Sequence, residues 1–244
     1  MTGAAPALRI AGDLRLGTQT LCRDLLLEVP GGGWTVLLGR SGVGKSTLGR
    51  LIAGLATPAR LIGGIAASDD RPLAGRVAVM AQGDQLLPWA NALSNATIGA
   101  QLRGKAPDRA RARTLLARAG LNGLEHRRPA QLSGGQRQRV ALVRTLIEDK
   151  PVVVLDEPFS ALDAGTRAAM QDLAARMLAG RTVILITHDP LEAARLAHRA
   201  FLLGSEGARR LDLPDRSPPR PIDAAETLAA QGAFYGALLG RAAA

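Results

Sequence analysis

The chain has 244 residues, enough for one large domain or for a core with a smaller lobe. Hydrophobic residues make up 47% but aromatics only 2%, so aliphatic side chains must fill the core. The formal charge of +10 is carried almost wholly by arginine, and Cys22 is the single cysteine, which excludes an intramolecular disulfide and a cysteine-ligated zinc site.

No run approaches 18 apolar residues, so no membrane span is expected, and any membrane role must come through a partner. Met1 to Pro6 lack a basic segment followed by an apolar one, so no secretory leader is expected either. The three histidines show no metal-ligand spacing. A strong positive charge invites nucleic acid or anionic lipid. No stretch has the lysine and arginine runs of a basic tail, however. Arg109, Arg111, Arg113, Arg118, Arg127 and Arg128 are interleaved with leucine and alanine, as on a solvated helix face. Nucleic acid is therefore not an expected partner.

Residues 8–29 alternate apolar and polar positions around Gly17, which predicts antiparallel strands with a turn at Gly17-Thr18. Pro30 to Gly33 reads as a loop and Trp34 to Leu38 as a strand. Gly39-Arg40-Ser41-Gly42-Val43-Gly44-Lys45-Ser46-Thr47 follows and fits G-x-x-x-x-G-K-[ST], the P-loop. Its glycines let backbone N–H groups converge on a phosphate, and the next helix adds its N-terminal partial charge. Lys45 can reach the β- and γ-phosphates, and the Ser46 hydroxyl can sit on Mg²⁺. Leu48, Leu51, Ile52 and Leu55 recur at helical spacing. Residues 56–76, with Pro58, Gly63, Gly64 and Pro72, read as loop-rich, and Val77 to Met80 as a short strand ending near Gln82.

From residue 86 glycine thins out and helical periodicity appears, as in 109–119 and 137–147, which predicts an inserted helical lobe. Its first helix is expected after Pro107, with that proline in the first turn. Pro151 to Asp156 is an apolar run closed by acid, the pattern of a buried parallel strand with functional residues at its C-terminal edge. A helix over 166–179, a strand over 182–186, a helix from Pro190 and a last strand over 200–203 follow. Residues 205–223 read as a linker and 224–240 as a terminal helix.

Asp156 and Glu157 supply what a P-loop site lacks. Asp156 can hold Mg²⁺, and Glu157 is a candidate general base, provided the strand ends there so that both acids can serve one site. Pro158 supports such an ending. His188 and Gln82 also stand just beyond apolar strands. Leu132-Ser133-Gly134-Gly135-Gln136 is a second glycine loop opening a helix that Ser133 can cap, hence a second anion site. Separated phosphate loops in one chain suggest that two chains sandwich each nucleotide.

This constellation resembles the ATP-binding subunits of ABC transporters over about residues 8 to 204. The motifs stand in family order: the P-loop at 39–47, the Q-loop glutamine Gln82, Leu-Ser-Gly-Gly-Gln at 132–136, Val-Val-Val-Leu-Asp-Glu at 152–157, Ser160-Ala-Leu-Asp163 and His188. The resemblance implies an α/β P-loop NTPase (RecA-like) core with an antiparallel β subdomain and an inserted helical subdomain. The expected division is 1–85, 86–148, 149–204 and 205–244. It also implies that P-loop residues bind ATP, that Ser46, Gln82 and Asp156 organise Mg²⁺ and that Glu157 polarises water. His188 would contact the γ-phosphate, and Ser133 and Gly135 would act on the nucleotide of a second, identical copy.

Gln82 is followed by Leu86-Leu87-Pro88-Trp89, similar to importers of nitrate, sulfonates, taurine and thiamine precursors. The implied partners are membrane permease subunits and, indirectly, an extracytoplasmic solute-binding protein, with this chain on the cytoplasmic face of the plasma membrane. Pro88 and Trp89 would then form an exposed patch; the other reading packs Trp89 inside the helical lobe. A soluble, non-transport ABC ATPase of the assembly type is the alternative. One departure stands out. The family usually stacks an aromatic on adenine, and by spacing that position is Leu16, while Trp34 opens a core strand.

Overall fold

The structure, a computed structural model, describes residues 4–240. The first three residues, on which the leader expectation partly rests, and the last four of the expected tail lie outside the described residues. Internal contacts divide the chain into two units. The first gathers Met1–Val77, Pro151–Asp156 and Ala179–Ala244, and the second Ala78–Lys150 and Glu157–Leu178.

In the first unit β1 (Leu8–Leu16) and β2 (Gln19–Val29) form the expected hairpin across Gly17-Thr18, paired from Leu8 opposite Val29 to Leu16 opposite Gln19 with register shifts between Gly12 and Leu14 and between Leu14 and Arg15. Alternation sends Leu8, Ile10, Leu14, Leu25, Leu27 and Val29 into the core. β3 (Trp34–Leu38) is buried throughout. The loop-rich reading of 56–76 is corrected. Ala59–Ala67 is a strand, β4, antiparallel to β1 along its whole length. Gly63 faces Gly12, both at positive φ, and a Cβ on either would strike the carbonyl of Ile62 or Ala11. These glycines permit a close strand pair rather than break one.

β5 (Val77–Met80) carries the chain from the first unit into the second. β6 (Val152–Asp156), β7 (Thr182–Thr187), β8 (Arg199–Gly204) and β9 (Gly207–Leu211) complete the core sheet, which in the first unit runs β6-β7-β3-β8-β9. Its first four strands are parallel, and β9 is antiparallel to β8. β8 is therefore not the last strand, and part of the expected linker is a sheet edge. Arg209 and Arg210 are exposed on β9 and only Leu211 is buried, so no apolar alternation marks it in the sequence.

Helix α1 (Lys45–Ile52) stops short of Leu55. Gly54 turns the chain at φ +67, and Leu55 is exposed. After α6 (Pro190–Leu196) the chain returns through a pinned segment. Arg220 is buried and donates to the carbonyls of Ala194 and Ala197, each at 2.9 Å, and of Pro214 at 2.9 Å. Cations are favoured at a helix C-terminus. The terminal helix α7 (Ala225–Leu238) packs on α6 and buries Thr227 and Phe234, leaving Leu228, Tyr235 and Leu239 exposed.

The second unit is helical. It holds α2 (Ala92–Leu102), α3 (Arg109–Arg118), a 3-10 turn at Pro129–Gln131, α4 (Gly134–Leu146) and α5 (Ala164–Met177). The first helix is thus α2, opened by Asn91, whose side chain accepts from Ser94 N. Small and polar residues dilute its apolar stripe, and Leu102 points to solvent, which hides it from a periodicity argument. Asp108 caps α3 by accepting from Arg111 N, so Pro107 precedes the cap instead of occupying the first turn. α5 starts at Ala164, capped by Asp163, which accepts from Thr166 N at 3.0 Å. Residues 157–178 cluster here, although the sequence reading assigned them to the second part of the core.

Candidate functional site

The phosphate loop closes β3 and opens α1. Gly44 caps the helix at φ +100, and a Cβ there would lie 2.9 Å from Leu14 Cδ2, so only glycine fits. Lys45 is buried, and its ammonium donates to the loop carbonyls of Gly39 at 2.7 Å and Arg40 at 2.9 Å. Its charge is thereby held against the loop. Ser46 Oγ donates to Asp156 Oδ1 at 2.8 Å. A hydroxyl beside a carboxylate, next to a phosphate loop, is the hard-oxygen donor set Mg²⁺ prefers, with phosphate oxygens and water left to complete the octahedron. Thr47 is half-buried one residue further on.

His188 emerges just past β7 and is exposed. With Gly39, Arg40 and Ser41 it lines a cavity of about 540 Å³, closed on one side by Leu238 and Leu239 of the terminal segment. In the first unit the structure thus places His188 beside the P-loop, and Ser46 against Asp156.

In the second unit Gln82 Nε2 donates to Glu157 Oε2 at 3.2 Å. β6 ends at Asp156, and Glu157 takes φ +46, a left-handed conformation uncommon outside glycine. The strand ending anticipated from Pro158 is realised by this turn. Ser133 caps α4 through a reciprocal box: Gln136 N donates to Ser133 Oγ at 3.2 Å, and Ser133 N donates to Gln136 Oε1 at 2.9 Å. Gly135 lies against Thr166 of α5, where a Cβ would come within 2.6 Å of the threonine methyl. Asp163 beside it is held below the usual carboxylate range, first by the Thr166 hydroxyl and then by the Thr166 backbone N–H.

Trp89 is 70% exposed, which decides against its packing inside the lobe. Its loop is built by Asn95, fully buried on α2, whose amide donates to the carbonyls of Leu87, Ala90 and Asn91 and whose oxygen accepts from Leu87 N. Asn95 was not legible in the sequence, and neither were Arg137 and Arg144, which grip Asp84 and Gln85. Burial pushes the Arg144 guanidinium below its ordinary range. Nothing in the spacing of these arginines points from a helix to a loop 53 to 60 residues earlier. Trp34 is buried, so it is a core residue and not a surface for a base.

The family model described as ABC transporter matches residues 22–160, more than half of the chain. The chain belongs to the ABC transporter ATP-binding family. It is 46% identical to the aliphatic sulfonates import ATP-binding protein SsuB 1 of Rhodococcus jostii, over 86% of this chain and 84% of that protein. It is 43% identical to the SsuB of Rhodopseudomonas palustris, over 96% of this chain and 85% of that one. Among solved structures it resembles the dimeric post-hydrolysis state of an ATP-binding cassette bound to ADP and Pi, with a TM-score of 0.69 and 26% identity, covering 86% of this chain and all of that one. The ABC fold expectation, a P-loop NTPase core, holds. The chain is an ATPase of importer type, and the non-transport alternative is not favoured. Among the described residues no helix is long and apolar enough to cross a membrane.

Proposed function

We propose that this chain hydrolyses MgATP to energise uptake of a small organic anion, with aliphatic sulfonates as the first candidates, through separate permease subunits at the cytoplasmic face of the plasma membrane. The sulfonate assignment comes from the names of the relatives. The observation that carries the catalytic reading is the contact of Ser46 with Asp156 behind the P-loop.

Mg²⁺ would be held by Ser46 and Asp156, and Gln82 is a further candidate ligand. The ion supplies charge neutralisation to the β- and γ-phosphates. Backbone N–H groups from Gly39 to Thr47 and the Lys45 ammonium bind the phosphates. Glu157 takes the proton of the attacking water, and Gln82 orients its carboxylate. His188 donates to the γ-phosphate. Ser133 and Gly135 complete the site of a second copy, a reading supported by the dimeric state of the similar cassette. Contacts to the γ-phosphate made only when two copies close favour that state, and hydrolysis removes them. The Trp89 patch meets the permease, and a solute-binding protein delivers cargo from the far side.

Deletion of this subunit in its native cell, with uptake of radiolabelled alkanesulfonate as the readout, tests the assignment. Loss of uptake, restored by the wild-type chain and not by Lys45→Ala, is expected. Undiminished sulfonate uptake with loss of another solute would overturn the substrate while leaving the ATPase reading in place.

A further inference from the structure

The loop that carries Gln82 is held by the helix that follows the Ser133 glycine loop. Arg137 and Arg144 stand seven residues apart on α4, hence on one face. Arg137 Nε donates to Asp84 Oδ2 at 2.8 Å, while its other arm donates to Leu132 O at 3.0 Å. Arg144 donates to two successive carbonyls, Asp84 O and Gln85 O, each at 2.7 Å. Those carbonyls belong to a turn in which Gln85 adopts φ +44, outside any strand ladder. Gln85 in turn donates from its side-chain amide to Gln82 O at 3.2 Å. The final link is the bond from Gln82 to Glu157.

We propose that Arg144, assisted by Arg137, is a positioning residue for hydrolysis: through Asp84 and Gln85 it sets where Gln82 holds the Glu157 carboxylate. The inference rests on the reading of Glu157 as general base and Gln82 as its partner. Its physical basis is the planar fork. Only a guanidinium presents two parallel N–H donors to two neighbouring carbonyls, whereas a lysine ammonium satisfies one direction at a time. A displacement of the N-terminal end of α4, where Ser133 and Gly135 lie, is thereby transmitted to the loop before it reaches the base.

The test is steady-state hydrolysis by the purified full-length chain and its variants. Arg144→Ala is expected to lower kcat about tenfold, as a misplaced catalytic group does, and to leave KM for ATP within about twofold. Arg144→Lys should restore less than half of that loss. In a Gln82→Ala background Arg144→Ala should cost nothing further, because both changes break one chain of contacts. Unchanged kcat in a folded Arg144→Ala protein, or a loss that multiplies in full with Gln82→Ala, would overturn the proposal. Should Arg144→Ala not fold, Asp84→Asn weakens only the half-exposed Arg137 pair and should give a smaller loss, again absent in the Gln82→Ala background. Amide exchange over residues 83–86 separates the two layers. If Gln82→Ala alone turns over normally, the role given to Gln82 falls; faster exchange in Arg144→Ala then still supports the grip, and unchanged exchange refutes it.

Discussion

Ser46 and Asp156, 110 residues apart in the chain, are joined by a 2.8 Å hydrogen bond from hydroxyl to carboxylate. The parallel sheet brings them together. β3 delivers the P-loop at its C-terminal edge, β6 delivers Asp156 at the same edge, and β7 lies between the two strands. Asp156→Ala should therefore leave the fold of the P-loop intact and remove the carboxylate proposed to hold the metal. Turnover should fall by about 10²-fold or more, the usual cost of deleting one preorganised charge contact. A titration of activity against Mg²⁺ checks it: the variant should need far higher metal concentrations, and an unchanged metal midpoint would argue against the role.

Glu157→Gln keeps the size and the hydrogen-bonding capacity toward Gln82 but cannot accept a proton. ATP binding should persist while phosphate release falls by about 10²- to 10⁴-fold, the range assigned to general base catalysis. Nucleotide binding by equilibrium dialysis, run beside phosphate release, separates the two effects. Normal turnover would remove Glu157 from the base position.

Where one face of an element alternates or repeats, its place was legible in the sequence. The β1–β2 hairpin is of this kind, while β3, β6 and β7 were legible as short unbroken apolar runs, buried along their whole length. The P-loop stood out by its glycine and lysine spacing, and Asp156, Glu157 and His188 became candidates because they follow apolar strands, whose ends in a parallel sheet are where chemistry gathers. β4 and β9 were not. Their residues pair by backbone hydrogen bonds, and their side chains, Gly63 and Gly64 or Arg209 and Arg210, carry no apolar rhythm. Asn95, Arg137 and Arg144 were hidden for a related reason. Arg144 spends its side chain on backbone carbonyls of a distant loop, Arg137 on the Asp84 carboxylate of that loop, and Asn95 on backbone groups of the turn before its own helix, and any polar residue on a helix looks the same until those partners are in place.

Leu16 ends β1 opposite Gln19 and Ala59 and is partly exposed, so it offers no aromatic face to a base. Discrimination between adenine and guanine should be weak, with GTP competing better than is usual in the family. Leu16→Tyr should tighten nucleotide binding by about tenfold, within the range of one base–aromatic stack. Competition of GTP against a fluorescent ATP analogue, for both proteins, reads the effect. A strong ATP preference in the unaltered chain would show that another surface grips the base.

His198 links stability to pH. Trp34 N donates to His198 Nδ1 at 3.1 Å, so the ring must keep that nitrogen unprotonated. Partial desolvation first, and the Arg220 charge second, hold the imidazole below its ordinary value of 6.5. The unfolded chain takes up a proton near 6.5, whereas the folded chain does so only at lower pH. Between those two values the unfolded state binds more protons, so the His198 contribution is complete above about pH 6.5 and is lost as the pH falls through the folded-state value. His198→Asn keeps an acceptor for Trp34 N without titrating in this range. Urea midpoints at pH 7.5 and pH 5.5 should fall further for the unaltered chain than for the variant, carboxylates contributing equally to both. Equal falls would mean that His198 does not sense pH in the folded protein.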